Sequence, residues 1–243
     1  MTRNRFKASG RNDAWFAGAC LTALAVWAAA DRANAQTART QISANVAVVT
    51  DYVFRGVSQT EAGGAASAGV ELTSGRVYAG VWVSNVAFPG DPDTGAEFDL
   101  YAGVRPEFVG WTWDLGVVGY LYDDPSGAEC DYVEAKVAAA RAVGPATVGF
   151  AAFWSPDVFG ATEDQATYVE ANAAWTVSDR WTVSGTVGRQ FVSSDLDYTT
   201  WSLGAAVMLN DALTLDLRYH DTDEHGFGDI YGSRAVASLK AAF

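Results

Sequence analysis

Residues 231–243 alternate almost without error. Tyr231, Ser233, Ala235, Ala237, Leu239, Ala241 and Phe243 share one face; Gly232, Arg234, Ser238 and Lys240 share the other, with Val236 the exception. A repeat of two is that of a β-strand, whose successive side chains point to opposite sides. The pattern recurs upstream. Leu213, Leu215, Leu217 and Tyr219 oppose Thr214, Asp216, Arg218 and His220, and Phe98, Leu100, Ala102 and Val104 oppose Glu97, Asp99, Tyr101 and Arg105. Twelve such segments can be marked: 42–56, 65–73, 77–86, 96–108, 111–121, 131–142, 146–154, 165–177, 181–191, 198–209, 213–220 and 230–243. Most approach the roughly 9–11 residues that a tilted membrane-crossing strand needs.

The connections narrow the architecture. Ser74-Gly75-Arg76, Gly110, Gly144-Pro145, Ser178-Asp179-Arg180 and Asn210-Asp211 are tight turns, and longer loops fall between them at 57–64, 87–95, 122–130, 155–164, 192–197 and 221–229. Short turns at one end and long loops at the other predict an all-β, single-domain, antiparallel transmembrane barrel of about twelve strands, with periplasmic turns and acidic extracellular loops. Aromatic residues near segment ends fit interfacial girdles: Trp111, Trp113, Trp181, Tyr120, Trp154, Phe191, Tyr219, Tyr231 and Phe243. Tyr231, Leu239 and Phe243, on one face of the last segment, resemble a C-terminal signal for the barrel assembly machinery.

The N-terminus reads as a leader. Arg3, Arg5, Lys7 and Arg11 precede an apolar run from Trp15 to Ala30, and Ala33-Asn34-Ala35 offers a cleavage site. Residues 1–35 are therefore expected to be removed, leaving 36–243 as the barrel. The apolar run is short for a membrane anchor, and it mostly follows Cys20 where a lipoprotein box needs it to precede the cysteine, which argues against lipidation. Removal takes five basic and two acidic residues and leaves eleven basic against twenty-seven acidic. That balance speaks against nucleic-acid binding, which needs a basic footprint. Cys130 is then the only cysteine, so no internal disulfide can form.

An ordered set of short motifs resembles a known family. It runs Tyr52-Val53-Phe54-Arg55-Gly56-Val57-Ser58-Gln59, then Ser74-Gly75-Arg76-Val77-Tyr78-Ala79-Gly80-Val81-Trp82-Val83-Ser84-Asn85-Val86, then Glu97-Phe98-Asp99-Leu100-Tyr101-Ala102-Gly103, and later Trp154-Ser155-Pro156-Asp157-Val158-Phe159-Gly160. Together these are similar to the TorF-type porins, most strongly over residues 45–105. The resemblance implies a Gram-negative outer-membrane location and a porin-like role. It implies no substrate, cofactor or catalytic residue.

Strand parity sorts the charges. The inner face is expected to carry Glu71, Glu97, Asp99, Asp114, Glu134, Glu170 and Asp216 against Arg55, Arg105, Lys136, Arg218, Arg234 and Lys240. Arg55 is placed near the outer end of strand one, facing inward, with Tyr52 and Phe54 facing lipid. Two readings follow from the near balance. Opposed charges could line a narrow polar pore, or ion pairs could fill and stiffen a closed lumen; twelve strands allow either. The narrow pore is the reading adopted, with passive diffusion of small solutes or ions.

The outer loops and their edges hold sixteen acidic residues and no base beyond Arg55. Such a mouth favours cations over about a Debye length, ~8 Å at physiological salt. It could equally bind divalent ions shared with outer-membrane lipid and lipopolysaccharide.

Three further chemistries receive little support. Asp221 to Gly226 opens like an EF-hand loop, but the twelfth position is Gly232 rather than Glu. No Cys/His cluster suggests zinc, so no metal and no cofactor are expected. His220 sits beside Asp216 and Arg218 with Ser202 or Ser233 on adjacent segments, which leaves a rim hydrolase as the lesser alternative. No nucleophile motif accompanies it, and the chain is read as a non-enzyme.

Overall fold

In the computed structural model, residues 40–90, 94–123, 130–158, 165–192 and 195–243 are described. The expected leader, and parts of four long loops, lie outside them. Twelve long strands follow one another: β1 (Gln41–Val49), β2 (Ala65–Ser74), β3 (Val77–Asn85), β4 (Ala96–Val104), β5 (Trp111–Tyr122), β6 (Tyr132–Val143), β7 (Ala146–Ser155), β8 (Ala166–Thr176), β9 (Trp181–Phe191), β10 (Tyr198–Met208), β11 (Leu213–Thr222) and β12 (Arg234–Ala242). Each pairs antiparallel with the next. β12 returns to β1 with Val48 opposite Leu239 and Asn45 opposite Ala242. The sheet is therefore a closed barrel, which leaves no open edge. Phe243 adds the last rung, its N–H donating to the Ala44 carbonyl at 2.8 Å.

The alternation of the sequence becomes an inside and an outside. Val48, Leu72, Leu100, Val117, Leu203 and Leu217 are outward and about half exposed. Trp154, Phe191, Trp201 and Tyr219 ring the barrel toward the long-loop end, and Phe108, Trp175, Trp181 and Phe243 toward the short-turn end, all exposed. An apolar belt between two aromatic girdles is the surface of a membrane-spanning barrel. Among the described residues, no helix is long and apolar enough to cross a membrane. Inside, the buried residues are largely polar or aromatic: Glu97, Asp99, Asp114, Glu134, Tyr120 and Tyr168 are each at most 2% exposed.

Several expectations are corrected. Tyr120 is no girdle residue: it is in step with Asp114 and points inward, where its hydroxyl donates to Glu134. Tyr231 lies in a 3-10 turn, Asp229–Tyr231, before the last strand, so it is not part of the β12 face. The largest correction concerns the first segment, 42–56, which leaves the wall at Val49.

Candidate functional site

Thr50 marks the exit of the chain from the wall. Its N–H donates to the Ala237 carbonyl, and its hydroxyl accepts from the Ala237 N–H, both at 3.0 Å. The next residues turn into the lumen and fold as a small hairpin, with Val53 opposite Ser58 and Phe54 opposite Val57. Arg55 and Gly56 are its two turn residues, with φ of 48° and 87°. Two successive positive φ values are what a two-residue hairpin with a type I′ turn requires. Gly56 is needed twice over, since a Cβ there would lie 2.1 Å from Thr200 Oγ1.

The hairpin crosses the barrel. At its base Asp51 accepts from Ser58 Oγ (2.6 Å), Thr60 Oγ1 (3.0 Å) and Arg234 Nη1 of β12 (2.8 Å). At its tip Arg55 meets the opposite wall. Its two terminal nitrogens donate to the two oxygens of Glu134 on β6 at 2.8 and 2.7 Å, and Nη1 also reaches Gln190 on β9 at 3.2 Å. The guanidinium lies over the rings of Phe54, Phe153 and Tyr168 at 4.4–4.8 Å. Arg55 is 4% and Glu134 1% exposed. A bidentate pair stacked among aromatic faces is the geometry in which a buried guanidinium is tolerated. Tyr52 and Phe54, expected against lipid, lie inside. Tyr52 is 3% exposed, its hydroxyl donates to Glu97 and its ring packs edge-on against Trp82.

A second network lies nearer the short-turn end. Arg105, just after β4, donates bidentately to Glu71 of β2 at 2.6 and 2.9 Å. Asp114 of β5 is fully buried and accepts from Lys136 Nζ of β6 at 2.7 Å and from the Tyr78 hydroxyl. Arg105 also stacks on Tyr78, 3.8 Å from the ring centroid. Gly103 and Gly116 leave room for the Tyr78 ring, since a Cβ at either would fall within 2.7 Å of its hydroxyl. On the facing wall Arg218 pairs with Asp216 at 3.2 Å and donates to Ser184 Oγ at 2.8 Å.

The inward positions read from parity are thus brought together mostly as acid–base pairs. Glu170 is 5% exposed and accepts from Tyr168 and Asn172 instead. Lys240 is half-buried, with no ion pair among the described residues. Leu239 and Phe243 face outward, 37% and 76% exposed. His220 lies opposite Ser202, but Ser202 shares its hydrogen bonds with Thr186 and Arg218, and Asp216 is held by Arg218. No hydrogen bond joins a Ser-His-Asp set among the described residues.

Parity alone missed Asp51 as the partner of Arg234, and Gln190 and Tyr168 as partners of Arg55. The missed signal was Phe54-Arg55-Gly56-Val57, an X-Gly turn between apolar residues with Arg where Asn or Asp is usual.

Solved structures share this fold. A KdgM porin aligns with a TM-score of 0.59 at 7% identity, covering 83% of this chain and 99% of that chain. A KdgM porin in complex with disordered oligogalacturonate gives 0.57 at 7% identity, covering 84% and 99%. A NanC porin gives 0.54 at 10% identity, covering 83% and 98%. At such identities the likeness is one of fold. No curated protein matches the sequence. The model of the family described as "Bacterial protein of unknown function (Gcw_chp)" matches residues 32–243, and the chain belongs to that family.

Proposed function

We propose that this chain is a porin of the Gram-negative outer membrane, passing small solutes or ions passively through a lumen narrowed by the inner hairpin. The observation that carries the reading is a closed barrel whose outside is apolar and whose inside is lined by charged side chains from Glu71 to Lys136. A barrel evolved only as a wall could fill its interior with apolar residues and avoid the desolvation of so many charges. The resemblance to TorF-type porins and the fold shared with KdgM and NanC porins support the same reading. Weak cation selectivity follows from the acidic long loops. The leader would be removed during export, the assembly machinery would read the C-terminal strand, and lipid and lipopolysaccharide would surround the apolar belt.

A second reading is a closed barrel with a structural or surface-interaction role. It is favoured by the hairpin itself, which joins opposite walls through Arg55 and Glu134. Planar-bilayer recording of residues 36–243 under a salt gradient separates the two. Discrete steps with a cation-shifted reversal potential support the porin. A folded, heat-modifiable barrel that never conducts supports the closed barrel. Charge reversal at Glu71, Arg105, Asp114 or Lys136 should change ion preference while leaving assembly intact.

A further inference from the structure

Among the described residues, Glu97 and Asp99 are the place in the lumen where two carboxyl groups stand together without a base. Glu71, Asp114, Glu134, Asp216 and Asp51 each meet an Arg or Lys. Glu97 and Asp99 meet none among the described residues. They stand two residues apart on β4, so the strand repeat sends both side chains inward. They are 2% and 1% exposed. Tyr52 donates to Glu97 Oε1 at 3.2 Å. Glu97 Oε2 and Asp99 Oδ1 are buried with no hydrogen-bond partner. Arg55, on the hairpin that also carries Tyr52, is already engaged by both oxygens of Glu134.

Buried carboxylates are strongly disfavoured without a compensating charge, and two side by side repel each other. At Glu71, Asp114, Glu134, Asp216 and Asp51 the compensation is an arginine or a lysine, and at Glu170 it is Tyr168 and Asn172. Here one oxygen on each carboxyl group is left over, and the Tyr52 hydroxyl is bonded to the other oxygen of Glu97.

We propose that Glu97 and Asp99 form a binding site for a divalent metal cation inside the lumen. A double charge matches the pair. Hard divalent cations take oxygen ligands, and Mg²⁺ in particular is commonly held by one or two carboxylates with water completing its shell. The site's role rests on the porin reading: an ion here would change the charge of the lumen that conducted cations cross. It also touches the hairpin, because Tyr52 shares the Glu97 carboxylate. The competing chemistry is a proton shared by the two carboxyl groups.

The test uses the refolded barrel and Tb³⁺ as the probe, with luminescence excited through tyrosine. Tyr52 bonds Glu97, and Tyr120 and Tyr122 lie opposite Asp99 and Glu97 across the β4–β5 pair, so a bound ion has tyrosine donors close by. We expect a saturable component that Ca²⁺ or Mg²⁺ displaces, absent from Glu97→Gln/Asp99→Asn and weakened at least tenfold in Glu97→Gln. Calcium should raise the unfolding temperature of the native chain and leave that of the double variant unchanged. Retention of the displaceable component in the double variant, or its absence from the native chain, overturns the site, the latter in favour of the shared proton. The double variant removes repulsion and should fold; if it does not, Glu97→Gln decides alone. In bilayers, Ca²⁺ should reduce the current of the native channel and not of the variant. Tb³⁺ binding without any current would keep the site and discard the porin.

Discussion

Two of the lumen's arginine–carboxylate pairs share a chemistry and differ in reach. Arg105 binds Glu71 from a position two strands away along the wall. Arg55 binds Glu134 from a hairpin that has crossed the barrel. Both are bidentate, and the first is about a quarter exposed where the second is dry. The wall pair ties strands of one wall together. On the porin reading, the crossing pair sets how much path is left.

Breaking the crossing pair should have the largest effect. Glu134→Ala leaves a buried guanidinium with Gln190 alone and should cost about 3–5 kcal/mol, read as a lowered midpoint in urea unfolding followed by tryptophan fluorescence. Its conductance should rise, because the hairpin tip loses its hold. The Arg55→Met/Glu134→Leu double variant should recover most of that stability, since apolar residues can replace a buried pair. If the double variant is as damaged as the single one, the pair is doing something other than holding the tip.

Gly56→Ala attacks the same feature through the backbone. The strained turn and the approach to Thr200 should cost about 1–3 kcal/mol and loosen the tip, so conductance should again increase. An unchanged current would mean that the hairpin does not set the bore.

The wall network should respond differently. Lys136→Met removes one partner of Asp114, which keeps Tyr78 and a distant Arg105. We expect a loss of about 1–2 kcal/mol, a reversal potential moved toward cations and an unchanged bore. A wider bore would erase the distinction between the two regions. Arg189→Ala, breaking an exposed pair with Asp197 at 3.6 Å, should change stability by less than about 1 kcal/mol and leave both electrical readouts alone.

The barrel was legible in the sequence because a repeat of two is enforced by lipid on one side and polar groups on the other. Leu213 to His220 shows it in eight residues. The inner face was legible for the same reason. What parity cannot give is a departure from the wall. Of the residues that broke the phase in the first segment, Ala47 and Val49 are ordinary wall positions of β1, and Val53 lies in the hairpin after the chain turns inward at Thr50. Nor does parity say which acid meets which base. Asp51 and Arg234 lie 183 positions apart, and only closure of β12 onto β1 puts them together. Tyr120 shows the opposite hazard, an aromatic near a strand end that belongs to the interior because of its step with Asp114.

The hairpin base also bears on the order in which the molecule can be made. Its own bonds join residues two to nine apart, as in Ser58 to Asp51 and Thr60 to Asp51. Those can form as soon as the segment has emerged. The bond from Arg234 to Asp51 waits for the whole chain and for the seam between the first and last strands. Local contacts form fast and distant ones slowly. The obstruction is therefore ready before the tube exists, and the tube is rolled up around it. The last strand, on arrival, finds a carboxylate that is correctly placed only if the insert is seated, which makes the final contact of assembly a check on the first.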